Sequence, residues 1–395
     1  MIKLLLDKKC IKIEDLIRKL ESATVSEPFN SSVIDFISDF SFYLINNSSR
    51  DSPDLHALGY WFRKQKVLNF KDLYSRNNYP VGTIFHICPS NVDTIFVYSL
   101  LISLLMGNVN IIRISSKESN EINELVNAFN MLLSNSKYLH LKEKIFLITY
   151  DRSDDITESL SSCSNLRVFW GGAQSIQSLR KIAAPSYTSD IFFPDRESIC
   201  YIDSIKFNLL KTADKYKLFE NFLSDIKLFN QQACSSPLRL FWSGTEESFI
   251  DFLNISINSD YDLGLNFSEQ MDKFVSLSSM TMDLNDIKIL SNHPNKISFV
   301  STNNSLTALN SHVGNGVVVV TFVNNILDIL PYITSKTQTL SYFGLEPSCF
   351  EKFSKYLNAS EIDRVCKIGS ALAFDHVWDG KDLFLSFSRK IKVDL

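Results

Sequence analysis

Beyond residue 80, short apolar runs alternate with longer segments whose apolar residues recur at helical spacing. The runs are typical of buried strands: Val81 to Ile87, Asn110 to Ile114, Ile145 to Thr149 and Leu166 to Trp170. The segments between them are long enough for helical crossovers, which join parallel strands. The pattern therefore predicts an α/β fold with an open parallel sheet covered by helices on both faces.

The connecting helices carry their own start and stop signals. Val92 to Met106 is almost wholly apolar and precedes Gly107, which predicts a helix that ends at a glycine. Ser115 and Glu118 have the spacing of a capping box and predict the start of the next helix. A further helix is predicted from Ala173.

The same alternation resumes after Asp203, with helical periodicity from Leu209 to Ile226 and an apolar strand from Leu238 to Trp242. A second α/β domain is therefore predicted, and the first residues of the chain have only amphipathic helical periodicity. The predicted segments are 1–75 (helical), 76–205 (first α/β domain), 206–380 (second α/β domain) and 381–395 (strand and tail).

Composition and charge narrow the class of protein. Of the 395 residues, 45% are hydrophobic and 21% are charged, as in soluble globular proteins. The net charge of -4 gives no reason to expect nucleic acid as a partner. The longest apolar run, Ile95 to Met106, is too short to span a bilayer, and Met1 to Cys10 has no signal-peptide core.

Cysteine and histidine spacing indicates neither disulfides nor a metal. The 7 cysteines include no C-x-x-C pair, which favours reduced thiols in a cytoplasm. The 6 histidines show no spacing typical of metal ligands, so no metal is expected.

Cys234 is the candidate nucleophile. It lies in Phe229-Asn230-Gln231-Gln232-Ala233-Cys234-Ser235-Ser236-Pro237, between a helical segment and a strand-like run. Small neighbours leave a sulfur accessible to a substrate, and Pro237 prevents the helix from continuing. The alternative is a packing cysteine, since free cysteine is among the most buried residue types.

Three predicted strand ends carry residues suited to ligand binding: Asn91, the group from Arg113 to Lys117, and Gly171 with Gly172. Ligands of open parallel sheets bind at the carboxyl ends of the strands. The sequence has no G-x-G-x-x-G, and a Gly-Gly pair is as often a plain turn. His86, within an apolar strand, is interpreted as a structural histidine.

Together these stretches resemble the bacterial luminescence-type (LuxC-like) fatty acyl-CoA reductases, a branch of the aldehyde dehydrogenase superfamily. The resemblance runs from about Pro80 to the end of the chain, which is shorter than typical members. The stretches that carry it are His86 to Val92, Gly107 to Arg113, Trp170 to Ala173, Gln232 to Pro237, and Arg364 through Trp378-Asp379-Gly380. It implies a Rossmann-type cofactor-binding domain and a second, catalytic α/β domain.

The resemblance also implies roles for individual residues. Cys234 matches the nucleophilic cysteine of the family, and Asn91 matches the asparagine that donates its amide to an oxyanion. Gly171 and Gly172 match the turn before the helix whose N-terminus faces the cofactor pyrophosphate, where N–H groups and the helix dipole favour anions. The water-activating glutamate of aldehyde-oxidising members has no counterpart, because Glu197 is out of register.

Arg113 replaces the superfamily lysine that meets the adenosine ribose. With Ser116 and Lys117 beside it, the group resembles a pocket for a 2′-phosphate, so NADPH is favoured over NADH. The alternative is a solvated charge at the start of a helix.

The activity implied is NADPH-dependent reduction of an acyl thioester, either acyl-CoA or carrier-bound acyl, to an aldehyde through a thioester on Cys234. We also expect a homo-oligomer and a partner that transfers or activates acyl groups. Two alternatives stay open: a thiol acyltransferase or thioesterase without redox chemistry, and an inactive family member that serves as a subunit.

Overall fold

The structure of the protein is a computed structural model that describes residues 1–48, 52–89, 92, 94–116, 119–358 and 361–394. The chain divides into two compact units, Met1–Asp195 with Phe374–Leu395, and Arg196–Ala373. This division differs from the predicted segments, because the strand Glu197–Asp203 belongs to the sheet of the second unit and the C-terminal residues return to the first. No helix within the described residues has the length and apolar character needed to cross a membrane.

The first unit begins with a hairpin and a group of helices and continues as alternating strands and helices. Its first elements are β1 (Ile2–Leu4), β2 (Lys9–Ile11), α1 (Ile13–Ser22), α2 (Ser31–Asn47), α3 (Pro53–Trp61), α4 (Lys64–Tyr74) and β3 (Tyr79–Pro80). The alternating part is β4 (Thr83–Ile87), α5 (Ile95–Leu105), β5 (Val109–Arg113), α6 (Asn120–Leu133), β6 (Ile145–Thr149), α7 (Asp154–Ser162), β7 (Leu166–Trp170), α8 (Ala173–Arg180) and β8 (Ser189–Phe193).

The sheet of the first unit has the order β2-β1-β6-β5-β4-β7-β8, and the five strands β4, β5, β6, β7 and β8 all run parallel. The chain moves outward from β4 through β5 to β6, and then returns to place β7 on the other side of β4. The strand order therefore reverses between β4 and β7, and such a point is where open parallel sheets bind ligands. The predicted parallel sheet is confirmed.

The first residues of the chain depart from the predicted all-helical segment. β1 pairs antiparallel with both β2 and β6, so the hairpin extends the sheet at its β6 edge. Ile2 and Leu4 are buried on one face of the sheet, and Lys3 between them is exposed. Three-residue strands are too short to show a clear period of two, which is why the sequence pattern did not indicate them.

The predicted start of α6 is corrected as well. The N-cap is Ser119, whose Oγ accepts from the Ile122 N–H at 3.2 Å, and Ser115 precedes the helix. Ser119 has extended backbone torsions, as an N-cap requires. The prediction that Ser115 caps this helix is therefore wrong, because the cap is Ser119. Glu118, the other residue of the predicted capping box, lies outside the described residues.

A buried polar network lies beneath the point where the strand order reverses. His86 in β4 is fully buried; its Nδ1 lies 2.8 Å from Ser99 Oγ and its Nε2 lies 3.2 Å from Asn110 Oδ1. The indole N–H of Trp170, the last residue of β7, also donates to Ser99 Oγ at 3.3 Å. Burial lowers the pKa of His86 to about 3, so the ring is neutral. The structural interpretation of His86 is confirmed.

The second unit repeats the same layered design. Its first elements are β9 (Glu197–Asp203), α9 (Ser204–Asn208), α10 (Thr212–Lys227), β10 (Pro237–Ser243), α11 (Glu246–Asn258), α12 (Phe267–Asp283), β11 (Lys288–Ser291) and β12 (Ser298–Ser301). The remaining elements are α13 (Ser305–Ala308), β13 (Val317–Val323), β14 (Thr337–Phe343), α14 (Pro347–Ser354) and β15 (Arg364–Lys367). The chain then returns to the first unit as β16 (Val377–Trp378), β17 (Lys381–Asp382), α15 (Leu383–Ser386) and β18 (Ser388–Arg389).

The second sheet has the order β11-β12-β13-β10-β9-β14-β15, and only β11 runs antiparallel to its neighbour. Its interior strand β13 is strongly apolar, and the first four valines of β13 are all fully buried. Such continuous burial is expected of parallel strands covered by helices on both faces. The second sheet and its helices therefore form a folded unit around β9 and β10.

Candidate active site

Cys234 lies in a tight turn that leads into β10. The Ser236 N–H donates to the Ala233 carbonyl at 2.9 Å, which closes the turn around the cysteine. Cys234 is partly exposed, whereas Ala233, Ser235 and Ser236 are buried. The turn therefore buries its own backbone and leaves the cysteine accessible.

A hydroxyl group from the neighbouring strand holds the turn from the other side. Ser198 in β9 is buried, and its Oγ donates to the Cys234 carbonyl at 2.7 Å. Ser198 is paired with Pro237 of β10, and a register shift follows between Pro237 and Arg239. Such an irregularity is a common way for a sheet to redirect one residue next to a site.

The segment before Cys234 differs from the predicted continuous helix. α9 ends at Asn208 and α10 at Lys227, so Leu209 lies between two helices and residues 228–233 separate α10 from the cysteine. The short 3-10 turn Leu228–Gln231 contains left-handed backbone at Phe229, Asn230 and Gln231. Sequence patterns do not predict three left-handed residues in a row here, because none of the three is glycine and only Asn230 tolerates that conformation well.

Other cysteines in the chain contrast with Cys234. Cys88 and Cys200 are buried, and burial raises the pKa of both thiols well above the usual value. Thiols in such surroundings stay protonated and inert. Partial exposure within a strongly constrained turn distinguishes Cys234 from these two buried cysteines.

Glu197 is engaged in an ion pair. Its Oε1 accepts from Arg239 Nη2 at 2.6 Å, and Arg239, which is fully buried, also donates through Nη1 to the Tyr332 carbonyl at 2.7 Å. A hydrogen bond between a guanidinium and a carboxylate is charge-assisted and stronger than one between neutral groups. The Glu197 side chain thus belongs to a buried charge pair at the start of β9.

Gly171 and Gly172 connect β7 to α8, as the sequence predicted. Gly171 has φ of 156° and donates its N–H to the Phe193 carbonyl at 3.1 Å. Gly172 is the N-cap of α8, with φ of -63° and ψ of 154°, torsions open to any residue. A Cβ atom built on either glycine would have no neighbour within 4 Å. The space over this turn is therefore open.

One N–H group in the first turn of α8 already has an acidic partner. The Ala173 N–H donates to Asp195 Oδ1 at 2.7 Å, so a carboxylate occupies part of the positive end of the helix. An anionic ligand at this turn would have to share the helix end with Asp195 or displace its side chain.

Arg113 ends β5 and is partly exposed, with its guanidinium carbon 5.0 Å from the centroid of the Tyr150 ring. Tyr150 also lines a pocket of about 350 Å³ at the carboxyl ends of β5 and β6. Its polar lining includes Lys3, Ser115, Ser116, Ser119, Tyr150 and Asp151. Arg113 and Ser116 therefore lie near each other, because Arg113 packs over Tyr150 and both Tyr150 and Ser116 line the pocket.

Two predicted site residues, Asn91 and Lys117, lie outside the described residues. Three residues at these sites escaped sequence reasoning: Ser198, Gln231 and Lys3. Ser198 and Gln231 contact the cysteine turn through β-sheet pairing and side-chain hydrogen bonds. Lys3 reaches the pocket because β1 pairs with β6, where Lys3 lies opposite Thr149. None of these positions carries a local sequence signal, because each depends on distant pairing.

The fold is that of the aldehyde dehydrogenases. A glyceraldehyde-3-phosphate dehydrogenase of Methanocaldococcus jannaschii complexed with NADP matches with a TM-score of 0.68 over 98% of this chain and 92% of that chain, at 12% identity. An NAD-dependent benzaldehyde dehydrogenase of Corynebacterium glutamicum matches with a TM-score of 0.66 over 98% and 94%, at 10% identity.

Within this fold the chain belongs to the acyl-CoA reductase (LuxC) family, whose family model matches residues 58–389. It is similar to long-chain acyl-protein thioester reductases: 24% identical over 297 residues to that of Vibrio harveyi, covering 74% of this chain and 59% of the relative. The reductase of Aliivibrio fischeri is 23% identical over 338 residues, covering 81% and 63%. The matched region thus spans about 59 to 63% of the length of these relatives. The predicted fold and family are confirmed.

Proposed function

We propose that the protein reduces an acyl thioester, either acyl-CoA or a protein-bound acyl group, to an aldehyde at the expense of NADPH, through a covalent thioester on Cys234. The observation that carries the proposal is the partly exposed Cys234 in a turn held by Ser198 and by its own backbone. Membership of the acyl-CoA reductase family and the long-chain acyl-protein thioester reductase relatives support the substrate class.

In the proposed reaction the Cys234 thiolate attacks the carbonyl carbon of the thioester. The Cys234 N–H and the side-chain amide of Asn91 would donate to the oxyanion, and the carrier thiolate leaves as the new thioester forms. Bound NADPH supplies the hydride that reduces this thioester. Cys234 is then released as a thiolate when the thiohemiacetal collapses to the aldehyde.

The residues around the first sheet fit a dinucleotide phosphate. The open space over Gly171 and Gly172 allows a pyrophosphate to approach the backbone, and neither a protein neighbour nor the torsions of Gly172 account for that second glycine. These two glycines would hold the pyrophosphate.

The preference for NADPH rests on charge near the carboxyl ends of β5 and β6. Arg113, Ser116 and Lys117 were expected to bind the 2′-phosphate, and Lys3 lines the same pocket as Ser116. Among the described residues, no carboxylate forms an ion pair with Lys3, so its charge is available to a phosphate. Asp151, which also lines the pocket, opposes an anion, so the NADPH preference depends on the basic groups outweighing it.

The test is to mix the protein with hexadecanoyl-CoA or an acylated carrier protein, with and without NADPH. Without NADPH, intact mass should increase by the acyl group in wild type and not in Cys234→Ala. With NADPH, aldehyde should form in step with NADPH loss, and Cys234→Ala should lower the rate at least about 1,000-fold. Acylation without NADPH oxidation would indicate a non-redox acyl transferase, and no acylation with either donor would overturn the proposal.

A further inference from the structure

The backbone just before Cys234 adopts a conformation that few side chains tolerate. Phe229, Asn230 and Gln231 have φ angles of 60°, 50° and 63° in succession. Left-handed backbone is unfavourable for residues other than glycine, and asparagine tolerates it better than phenylalanine or glutamine. Such a run persists only where surrounding contacts over-determine it, and such segments cluster at functional sites.

The side chain of Gln231 supplies a large part of those contacts. It is 2% exposed, and its Nε2 donates to the carbonyls of Pro237 at 2.8 Å and Val317 at 2.9 Å. Its Oε1 accepts from the Gly316 N–H at 2.9 Å. A single amide thus spans the loop that contains Cys234, because Gln231 precedes the cysteine and Pro237 follows it.

A second left-handed turn packs against the first. Gly314, Asn315 and Gly316 have φ angles of 77°, 53° and 76°. The Asn315 N–H donates to the Asn230 carbonyl at 2.9 Å. A Cβ on Gly314 would lie 3.1 Å from the same carbonyl and 3.2 Å from the Gln231 carbonyl, closer than a packed neighbour allows without adjustment. Bonds from Gln231 and Asn315 therefore join the two turns, and Gln232 Nε2 adds a bond to the Val313 carbonyl at 2.5 Å.

We infer that Gln231 is a positioning residue for Cys234. Its amide fixes the left-handed turn to β10 and β13, and Ser198 fixes the Cys234 carbonyl to β9, so the backbone that carries the sulfur is held in place. This inference rests on the proposed nucleophilic role of Cys234. Loss of the amide would let the turn relax and would displace the sulfur, and a displacement of about 1 Å can lower a rate about 100-fold.

The test uses Gln231→Met, which keeps the length of the side chain, and Gln231→Gly, which removes the amide and also relieves the backbone strain. Gln65→Met and Gln65→Gly are the controls, because Gln65 is exposed on α4 and its Nε2 donates to Asn69 of the same helix. Each protein is measured for thermal unfolding, for NADPH affinity, for kcat with hexadecanoyl-CoA, and for the pH profile of Cys234 alkylation by iodoacetamide, followed by intact mass.

We expect each Gln231 variant that folds to lose at least about tenfold in kcat and to show an altered alkylation profile, with NADPH affinity within about twofold of wild type. Gln231→Gly guards against a failure of Gln231→Met to fold, since glycine accepts the left-handed torsion. The inference is overturned if a folded Gln231 variant keeps kcat within about threefold of wild type and the wild-type alkylation profile. It is also overturned if neither variant folds, because the role of Gln231 would then be structural.

The proposed function fails separately, and visibly, if wild-type protein is never acylated at Cys234. Acylated wild type together with unaltered Gln231 variants would overturn only the positioning role.

Discussion

The turn at Gly171–Gly172 and the turn at Cys234 both adjoin a strand of a parallel sheet, yet they are built in opposite ways. The glycine turn has open space above it, with no atom within 4 Å of either missing Cβ. The cysteine turn is held by side chains and backbone from β9, β10 and the 314–316 turn. This difference is what the proposed roles require, since a turn that admits a ligand needs open space and a reacting atom needs a fixed position.

The largest expected effect comes from removing the buried ion pair between Glu197 of β9 and Arg239 of β10, the two strands that hold the cysteine turn. Replacing Arg239 by Met leaves the Glu197 carboxylate, which is 12% exposed, without its guanidinium partner. Unpairing a buried charge costs about 3–5 kcal/mol, so the free energy of unfolding in urea should fall by about that amount. The double variant Glu197→Gln with Arg239→Met should recover part of the loss. A decrease below about 1 kcal/mol would mean that the pair is already well solvated.

A second buried carboxylate in the same unit, that of Asp225, should make the free energy of unfolding depend on pH. Asp225 in α10 accepts from the Gly369 N–H at 2.7 Å and the Ala371 N–H at 3.0 Å. Burial outweighs these bonds and raises the pKa of Asp225 to about 6. The folded state therefore holds a proton that the unfolded state has lost between about pH 4 and about pH 6.

Stability should consequently fall as pH rises through this range, by up to about 3 kcal/mol from Asp225 alone. Urea unfolding at several pH values checks this, with Asp225→Asn as the variant that cannot titrate. Equal pH slopes for wild type and Asp225→Asn would contradict the raised pKa.

Substitutions at the proposed cofactor site of the first sheet should change ligand affinity more than the free energy of unfolding. Arg113→Ala should weaken NADPH binding by about 10- to 100-fold, because a charged hydrogen bond is worth about 1.5–3 kcal/mol. NADH binding should change by less than about threefold, since NADH lacks the 2′-phosphate. Titration of both cofactors checks this, and Arg18→Ala, a surface arginine of α1, is the control. Equal losses for the two cofactors would argue against 2′-phosphate recognition by Arg113.

The smallest expected effects are those of replacing Gly171 or Gly172 by alanine, and the two substitutions should differ in what they change. Gly172→Ala should leave the unfolding free energy nearly unchanged, because its torsions are ordinary and its surroundings are open, yet it should weaken NADPH binding about tenfold. Gly171→Ala should instead destabilise the protein by about 1–2 kcal/mol, because φ of 156° disfavours a side chain. Wild-type affinity in Gly172→Ala would remove the reason to place a pyrophosphate at this turn.

Much of the molecule follows from local patterns in the sequence. The strands Leu166–Trp170 and Ile145–Thr149 lie where their apolar runs predicted, and the helix from Ala173 begins where its glycine turn ends. Cys234 could be selected because small residues and a proline surround it. Apolar periodicity and turn residues are local properties of the chain. A parallel strand that is buried on both faces needs consecutive apolar residues, so it is visible in the sequence as an apolar run.

Only the tertiary structure decided how the cysteine turn is held. Asn230 tolerates its left-handed torsion, but Phe229 and Gln231 do not favour theirs, so the run depends on the bonds from Gln231 to β10 and β13. The pairing of β1 with β6, which brings Lys3 to the pocket, likewise joins residues far apart in the chain. The sequence by itself therefore determined most of the elements and the choice of Cys234 as the candidate nucleophile. Contacts between distant segments determined the conformation of the turn, because their free energy exists only once the sheet has formed.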